Sequence, residues 1–431
     1  MKLNSKINNL KNLIKENKKI LLFSLILKIF IISILIKYDN TQGDSASYLN
    51  NAFNIFKYNI YSEDSINPSI YRPPLYSFFL AICMSLFGYH IFFFQIIQNI
   101  IFFISIFLLI KVIIKFDQSF SKIFFIFAIF SPFETIYSGA LLSEGLTSFF
   151  IILTIYFLVC YSGYKKYMLT GISLGLLCLT KDVFILMPFI LAFFFFILND
   201  AKKKNLFINS TLLVIFFLIT ISPWVIRNNF ISDKPMIISD GRLGYSLWIG
   251  TWAEDGKFTI KKNNSNIPNY PEKAFRTEEE KKFILEGFKN GIETIDKYFT
   301  KIAIERIIDD PVNVLKTYIT RFPKLWLGTR TDPFSFNNKL LERGEKPWFV
   351  VKSFFYLVNL IIVSSGLLGI AILLKKDFKK YFLITIPIFY TSAIYMPLNS
   401  FENRYTQPLM LLMLFFSCVF FSKLFNKFKK F

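Results

Sequence analysis

Apolar runs of 18 or more residues recur along this chain of 431 residues, and that recurrence narrows the fold class to helical, polytopic membrane proteins. A soluble core has no use for so many uninterrupted apolar helices. Composition agrees: 54% of the residues are hydrophobic and 55 are phenylalanine. The surplus of Phe, Ile, Lys and Asn reads as the bias of an AT-rich genome, so aromatic stripes carry little functional weight. The formal charge of +21 would suit nucleic acid, but the basic excess sits in short loops between apolar segments. That is the positive-inside pattern, and it matches anionic lipid headgroups better. Cys83, Cys160, Cys178 and Cys418 lie in apolar segments without CxxC spacing and read as packing residues. His90 is the single histidine, which argues against a His-based zinc site or a Ser-His-Asp triad.

Lysines in short loops set the topology. Residues 1–19 are lysine-rich and Ile20 to Ile36 is apolar, which predicts a retained anchor with a cytoplasmic N-terminus. Residues 37–73 then lie outside. The stretch Leu75 to Ile114 is long enough for two crossings, but two would leave Lys111, Lys115 and Lys122 outside. One crossing, His90 to Ile110, puts them inside and makes Pro74 to Phe87 a juxtamembrane helix ending at Gly88. Ile123 to Leu142 then goes out and Leu146 to Tyr161 returns. Residues 168–198 form a hairpin broken at Thr180-Lys181-Asp182, and Leu206 to Ile226 goes out again. Further spans are Phe349 to Leu374, Phe382 to Leu398 and Pro408 to Phe421, followed by a basic cytoplasmic tail. The expected total is about ten or more membrane helices, plus juxtamembrane helices.

Three domains follow: an N-terminal membrane part (1–226) with its external loop 37–73, a segment 227–347, and C-terminal helices (348–431). Residues 227–347 are polar and mixed in charge, and the patterns at Thr277 to Lys282 and Ile302 to Leu325 predict a mainly helical soluble segment on the non-cytoplasmic side. Within it, Asp240-Gly241-Arg242-Leu243-Gly244-Tyr245 fits either a lid or an ordinary entry turn.

This topology collects Asp44, Arg72, Glu144, Lys181, Asp182, Arg227, Arg404 and Tyr405 on the outer face. Each taken alone fits a snorkelling interfacial residue. Together they fit a site for an anionic, membrane-bound substrate. Asp44 follows Gly43 and precedes a helix start at Ser45 to Leu49, so it suits an N-cap or a general base held near the membrane surface. Glu144 sits between two membrane helices. Glu134 is harder to place, because one continuous helix would carry it about 15 Å deeper than Glu144.

Several segments occur in a telling order: Gly43-Asp44 with Tyr48-Leu49, Arg72-Pro73-Pro74-Leu75-Tyr76, Tyr137-Ser138 through Ser143-Glu144, Gly171 to Lys181, Pro223 to Asn228, and Arg404-Tyr405. In that order they resemble the bacterial GT-C-type glycosyltransferases related to protein O-mannosyltransferases and the lipid A aminoarabinose transferase. The likeness covers residues 20–260 and then Arg404-Tyr405. It implies an inverting transferase that takes a sugar from a polyprenyl-phosphate carrier on the non-cytoplasmic face of a bacterial plasma membrane. Carried over, Asp44 takes the place of the catalytic base and Glu144 that of a second acid near the acceptor. Arg72, Lys181, Arg227 and Arg404 become candidates to hold phosphate, with Tyr48, Tyr76 and Tyr405 lining the substrate. Many relatives have arginine where this chain has Lys181, and the eukaryotic protein mannosyltransferases have an acid where this chain has Ser45.

The implied partners are a lipid-linked sugar donor, membrane lipids and an acceptor that is a surface glycan, lipid or protein. No cofactor is required, since the leaving group is already a phosphate, and a divalent ion on Asp44 or Glu144 stays open. The rival readings are a lipid-linked-sugar transporter or flippase, and a polymerase or ligase using a diphosphate-linked donor. Transporters place ionisable groups near the midplane of repeated halves, whereas here they gather on one face and no repeat is seen.

Overall fold

The computed structural model describes residues 15–36, 44–116, 118–198, 203–232, 235–240, 243–253, 270–290, 295–330, 342–398 and 402–428. All regular elements among them are helical. In chain order they are α1 (Lys18–Ile36), α2 (Asp44–Tyr58), α3 (Leu75–Phe87), α4 (Ile91–Phe116), α5 (Ser121–Ile129), α6 (Pro132–Ser138), α7 (Glu144–Cys160), α8 (Gly163–Thr180) and α9 (Met187–Leu198). Then follow α10 (Lys203–Ile231), α11 (Leu243–Trp252), α12 (Glu278–Asn290), α13 (Asp296–Asp309), α14 (Pro311–Trp326), α15 (Glu345–Lys376), α16 (Phe378–Tyr395) and α17 (Met410–Phe428). Among the described residues, four segments are long and apolar enough to cross a membrane: Ile91–Phe116, Lys204–Ile231, Glu345–Lys376 and Asn403–Phe425. The chain is a helical membrane protein.

Most breaks follow from local chemistry. α3 stops at Gly88, whose φ of 72° is open to glycine at little cost, and α4 starts afresh at Ile91. The hairpin 168–198 breaks at Lys181, which is extended between α8 and a short 3-10 turn. Pro132 ends the run that hydropathy reads as one span from Ile123 to Leu142. That expectation is corrected here: the segment is two short helices, α5 and α6, and the backbone from Gly139 to Ser143 is non-helical. Glu134 therefore does not share a helix with Glu144, and the depth expected from one continuous helix does not apply. The helical stretch expected from Ile302 to Leu325 is likewise two helices. Asp310 caps the second through the Asn313 amide (3.2 Å), with Pro311 in its first turn.

The chain divides into two compact units. The first comprises Met1–Ser239, Thr329–Pro387 and Gln407–Phe431. Here α8 packs closely on α10, α15 on α17, and α4 on α7. Small residues permit two of these approaches. Cβ atoms at Gly171 or Gly175 of α8 would run into the Leu213 carbonyl and Thr220 of α10. Cβ atoms at Gly366 or Gly369 of α15 would strike Met413 and the Phe416 carbonyl of α17. Helices immersed in lipid gain little from burying apolar surface, so close backbone approach at small residues supplies the attraction.

The second unit comprises Asp240–Gly328 and Ile388–Thr406. Its core gathers Trp248, Trp252, Tyr270, Ala274, Ile284, Phe299 and Ile302. The Asp296 carboxylate accepts from the amides of Gly244 (3.0 Å) and Tyr245 (2.9 Å), capping the start of α11. Gly244 is hemmed in by the Asp296 carbonyl and the Thr300 hydroxyl. Of the glycines suggested for a lid, Gly244 is thus packed in place, while Gly241 lies outside the described residues, as does Arg242. Arg321 is buried and donates to the carbonyls of Ala253 (3.2 Å) and Met396 (3.0 Å), tying the two chain segments of this unit together.

Candidate active site

Asp44 opens α2, where its charge faces the positive end of the helix, and α2 packs on α3. The loop joining them returns Arg72 to Asp44. The Arg72 Nη2 lies 2.5 Å from Asp44 Oδ1, and both side chains are about a quarter exposed or less (20% and 26%). Arg72 also donates from Nε to Ser47 Oγ (3.4 Å), and its guanidinium lies over the rings of Tyr71 (4.8 Å) and Tyr48 (5.4 Å). Ser47 in turn donates to Glu63 (2.6 Å). Asp44 and Ser47 occupy one face of α2 because they are a helical turn apart.

The loop carrying Arg72 is pinned from several sides. Asp64 accepts from the amides of Ile66 (2.9 Å) and Asn67 (2.8 Å), and these bonds hold its carboxyl well below the usual carboxylate range. Tyr61 donates its hydroxyl to the Arg72 carbonyl (3.0 Å). Arg227 of α10 donates to the carbonyls of Ser69 (2.7 Å) and Tyr61 (3.3 Å), and lies over Trp224 at 4.4 Å. Arg227 thus reaches the same loop, and two of its donors are engaged by backbone there.

Tyr48 extends the cluster toward the second acid. It is buried, its hydroxyl donates to Ser143 Oγ at 3.4 Å, and its ring meets that of Tyr76 edge-on at 4.9 Å. Burial pushes the phenol up to about 12, with Arg72 pulling the other way, so it stays a neutral donor at physiological pH. Glu144 begins α7 directly after Ser143. Its carboxylate is buried, and Lys181, at the break after α8, lies 3.3 Å from Oε1. The Lys181 side chain is 15% exposed against 3% for Glu144. Asp182 accepts a hydrogen bond from Ser239.

The first unit therefore brings together seven residues singled out from the sequence: Asp44, Tyr48, Arg72, Tyr76, Glu144, Lys181 and Arg227. Arg404 and Tyr405 belong to the second unit, where Arg404 lies 3.6 Å from Glu402 and Tyr405 stacks on Tyr395 at 4.7 Å. Gly43, which precedes Asp44, lies outside the described residues. Ser47, Glu63 and Ser143 were not foreseen. Ser47 carried a sequence signal, one turn after Asp44 on the same helix; Glu63 carried none, since only the loop's return brings it close.

A separate buried polar group surrounds α6. Lys28 of α1 donates to Thr135 Oγ1 (2.5 Å) and lies over the Phe102 ring at 4.6 Å. Glu134 accepts from Gln407 (3.3 Å), and Arg330, fully buried, donates to Asn359 (3.0 Å). Glu134 is thus enclosed among polar side chains of a broken-helix region.

Chemically, the Asp44 cluster offers a carboxylate beside a guanidinium, a neutral phenol, and a second carboxylate beside an ammonium. It can accept a proton at one point and bind an anion at two. Residues 71–226 match the family model described as dolichyl-phosphate-mannose-protein mannosyltransferase. The matched region holds Arg72, Tyr76, Glu144 and Lys181, and Asp44 lies outside it, 27 residues before its start. No curated protein and no solved structure matches the chain. The match supports a glycosyltransferase of the GT-C type.

Proposed function

We propose that the chain is an inverting transferase that moves one sugar from a polyprenyl monophosphate to an acceptor on the non-cytoplasmic face of a bacterial plasma membrane, with Asp44 as general base. The observation that carries this reading is the Asp44–Arg72 pair at 2.5 Å, which sets a proton acceptor against an anion-binding fork beside a neutral tyrosine.

In the proposed reaction the acceptor's oxygen attacks the anomeric carbon and its proton passes to Asp44. The bond from that carbon to the phosphate oxygen breaks, and its electron pair leaves with the polyprenyl phosphate. Proton acceptance of this kind typically contributes about 10²–10⁴-fold. Arg72 and Lys181 would bear the charge that grows on the leaving phosphate, with Arg227 steadying the loop that carries Arg72. Glu144 would face the acceptor. The acceptor is a surface glycan, lipid or protein, and the chemistry asks for no cofactor. The proposed topology has about ten spans, cytoplasmic termini and residues 227–347 outside.

The test uses wild type and Asp44→Asn in lipid, each given a panel of polyprenyl-monophosphate sugars with crude cell envelope as acceptor. Asp44-dependent loss of one donor, with release of polyprenyl phosphate, is expected. Equal turnover by a folded Asp44→Asn protein would remove Asp44 from the mechanism. Consumption of only a diphosphate-linked glycan would favour a ligase.

A further inference from the structure

Within the 26 residues of α4, Gln95, Gln98 and Asn99 share one face and are buried. Amide side chains in a membrane-crossing helix are unfavourable unless their polar atoms find partners, so their bonds are informative. All three reach the end of α6 or the non-helical connection that follows it. Gln95 Nε2 donates to the Gly139 carbonyl (2.5 Å), and Gln98 Nε2 donates to those of Ser138 (3.0 Å) and Ala140 (2.8 Å). Asn99 Oδ1 accepts from the Ser138 hydroxyl (2.9 Å). Three consecutive carbonyls, which a broken helix leaves without intrahelical donors, are thereby held by two side chains.

Gln98 does more than cap this backbone. Its Oε1 accepts from the Tyr76 hydroxyl at 2.6 Å. Tyr76 lies on α3, just past Arg72, with its ring against Tyr48. The connection that Gln98 holds at the other end leads directly into Ser143 and Glu144. One amide therefore joins the Arg72 side of the cluster to the Glu144 side. Its oxygen accepts the phenol's hydrogen bond while its NH₂ group serves two carbonyls, a division that methionine, of similar length, cannot reproduce.

We propose that Gln98 is a positioning residue for glycosyl transfer, fixing the Glu144 turn relative to Tyr48 and Arg72. The inference rests on the transfer reading above. Gln98 touches no reacting atom and acts through Tyr76 and the Ser138 and Ala140 carbonyls.

The experiment compares full-length wild type, Gln98→Met, Tyr76→Phe and the double variant in lipid nanodiscs. It reads amide hydrogen exchange over residues 138–145 without donor, melting temperature, and kcat and KM for the polyprenyl-monophosphate sugar that wild type consumes. Gln98→Met is expected to speed exchange locally and to lower kcat about 10- to 100-fold with KM within about twofold, the pattern of misplaced rather than missing groups. Tyr76→Phe should lose less, and the double variant should be no worse than Gln98→Met, because both remove one linkage. A wild-type kcat in Gln98→Met, a loss confined to melting temperature, or additive losses in the double variant would overturn the proposal. If Gln98→Met does not fold, Tyr76→Phe decides alone: unchanged kcat and exchange overturn the linkage. If wild type consumes no donor, the transfer reading fails separately. The exchange comparison then still decides whether Gln98 fixes the turn, and unchanged exchange overturns it.

Discussion

Asp44 and Arg72, 28 residues apart in the chain, meet through a 2.5 Å charge-assisted hydrogen bond at the start of α2. On the proposed reading, the proton acceptor and one phosphate-binding cation begin the cycle bonded to each other. An incoming phosphate would compete with Asp44 for the guanidinium, and the carboxylate so released would be free to take the acceptor's proton.

The first prediction separates charge from fork. Arg72→Lys keeps a cation but loses the planar fork that reaches Ser47 through Nε and Asp44 through Nη2. Turnover should fall about 10²–10³-fold in Arg72→Lys, the loss expected for one donor to a developing anion. Initial rates at saturating donor are the measurement, and near-normal rates would show that a point charge suffices.

A second prediction concerns Glu144 and Lys181. Lys181→Gln leaves a buried carboxylate without its ammonium partner, and breaking a buried pair costs about 3–5 kcal/mol. Lys181→Arg should keep the protein folded. Glu144→Gln/Lys181→Gln should melt above Lys181→Gln alone, because the buried charge is then gone. Melting temperatures of wild type, Lys181→Gln, Lys181→Arg, Glu144→Gln and the double variant in the same detergent decide this, and strictly additive shifts in the Gln variants would count against a coupled pair.

Packing between α8 and α10 gives a third. Gly171→Val would push a side chain into the Leu213 carbonyl, and overpacking of this kind costs about 1–3 kcal/mol. Lower thermal stability is expected. An unchanged melting temperature would mean that the helices separate freely at this point.

The fourth is a pH dependence. Hydrogen bonds from Asn67 and Ile66 depress the Asp64 pKa in the folded protein. A depressed carboxylate stabilises its loop fully above the unfolded value of about 4, and that contribution is lost as pH falls through the folded value. Residues 62–67 should therefore loosen in acid before the helices do, and Asp64→Asn should abolish the acid step. Limited proteolysis of this loop across pH would reveal it.

Much of the helix order was readable because hydropathy and breakers act locally. Gly88 and Lys181 interrupt the apolar pattern where the helices do end. The run from Ile123 to Leu142 misled because it is apolar throughout. Hydropathy has no term for a backbone bent at Pro132, nor for one whose carbonyls at 138–140 are capped by side chains from α4. The candidate site was legible as a list of charges. The sequence order held no sign of which charges pair: Glu63 reaches Ser47 only because the loop folds back. Arg227 looked like a free phosphate ligand because its carbonyl partners, in residues 61–69, are 158 or more positions away.

Lys28 carries a consequence for how the chain is made. A lysine in the middle of the first apolar helix disfavours lipid by about 2.5–3.5 kcal/mol. Its partner Thr135 lies 107 residues downstream. During synthesis α1 is therefore expected to stay poorly matched to lipid until α6 has been made. It should be among the last helices to settle. Lys28→Leu would let it insert early and alone, and cysteine accessibility in ribosome-bound chains truncated before and after residue 135 would show the difference.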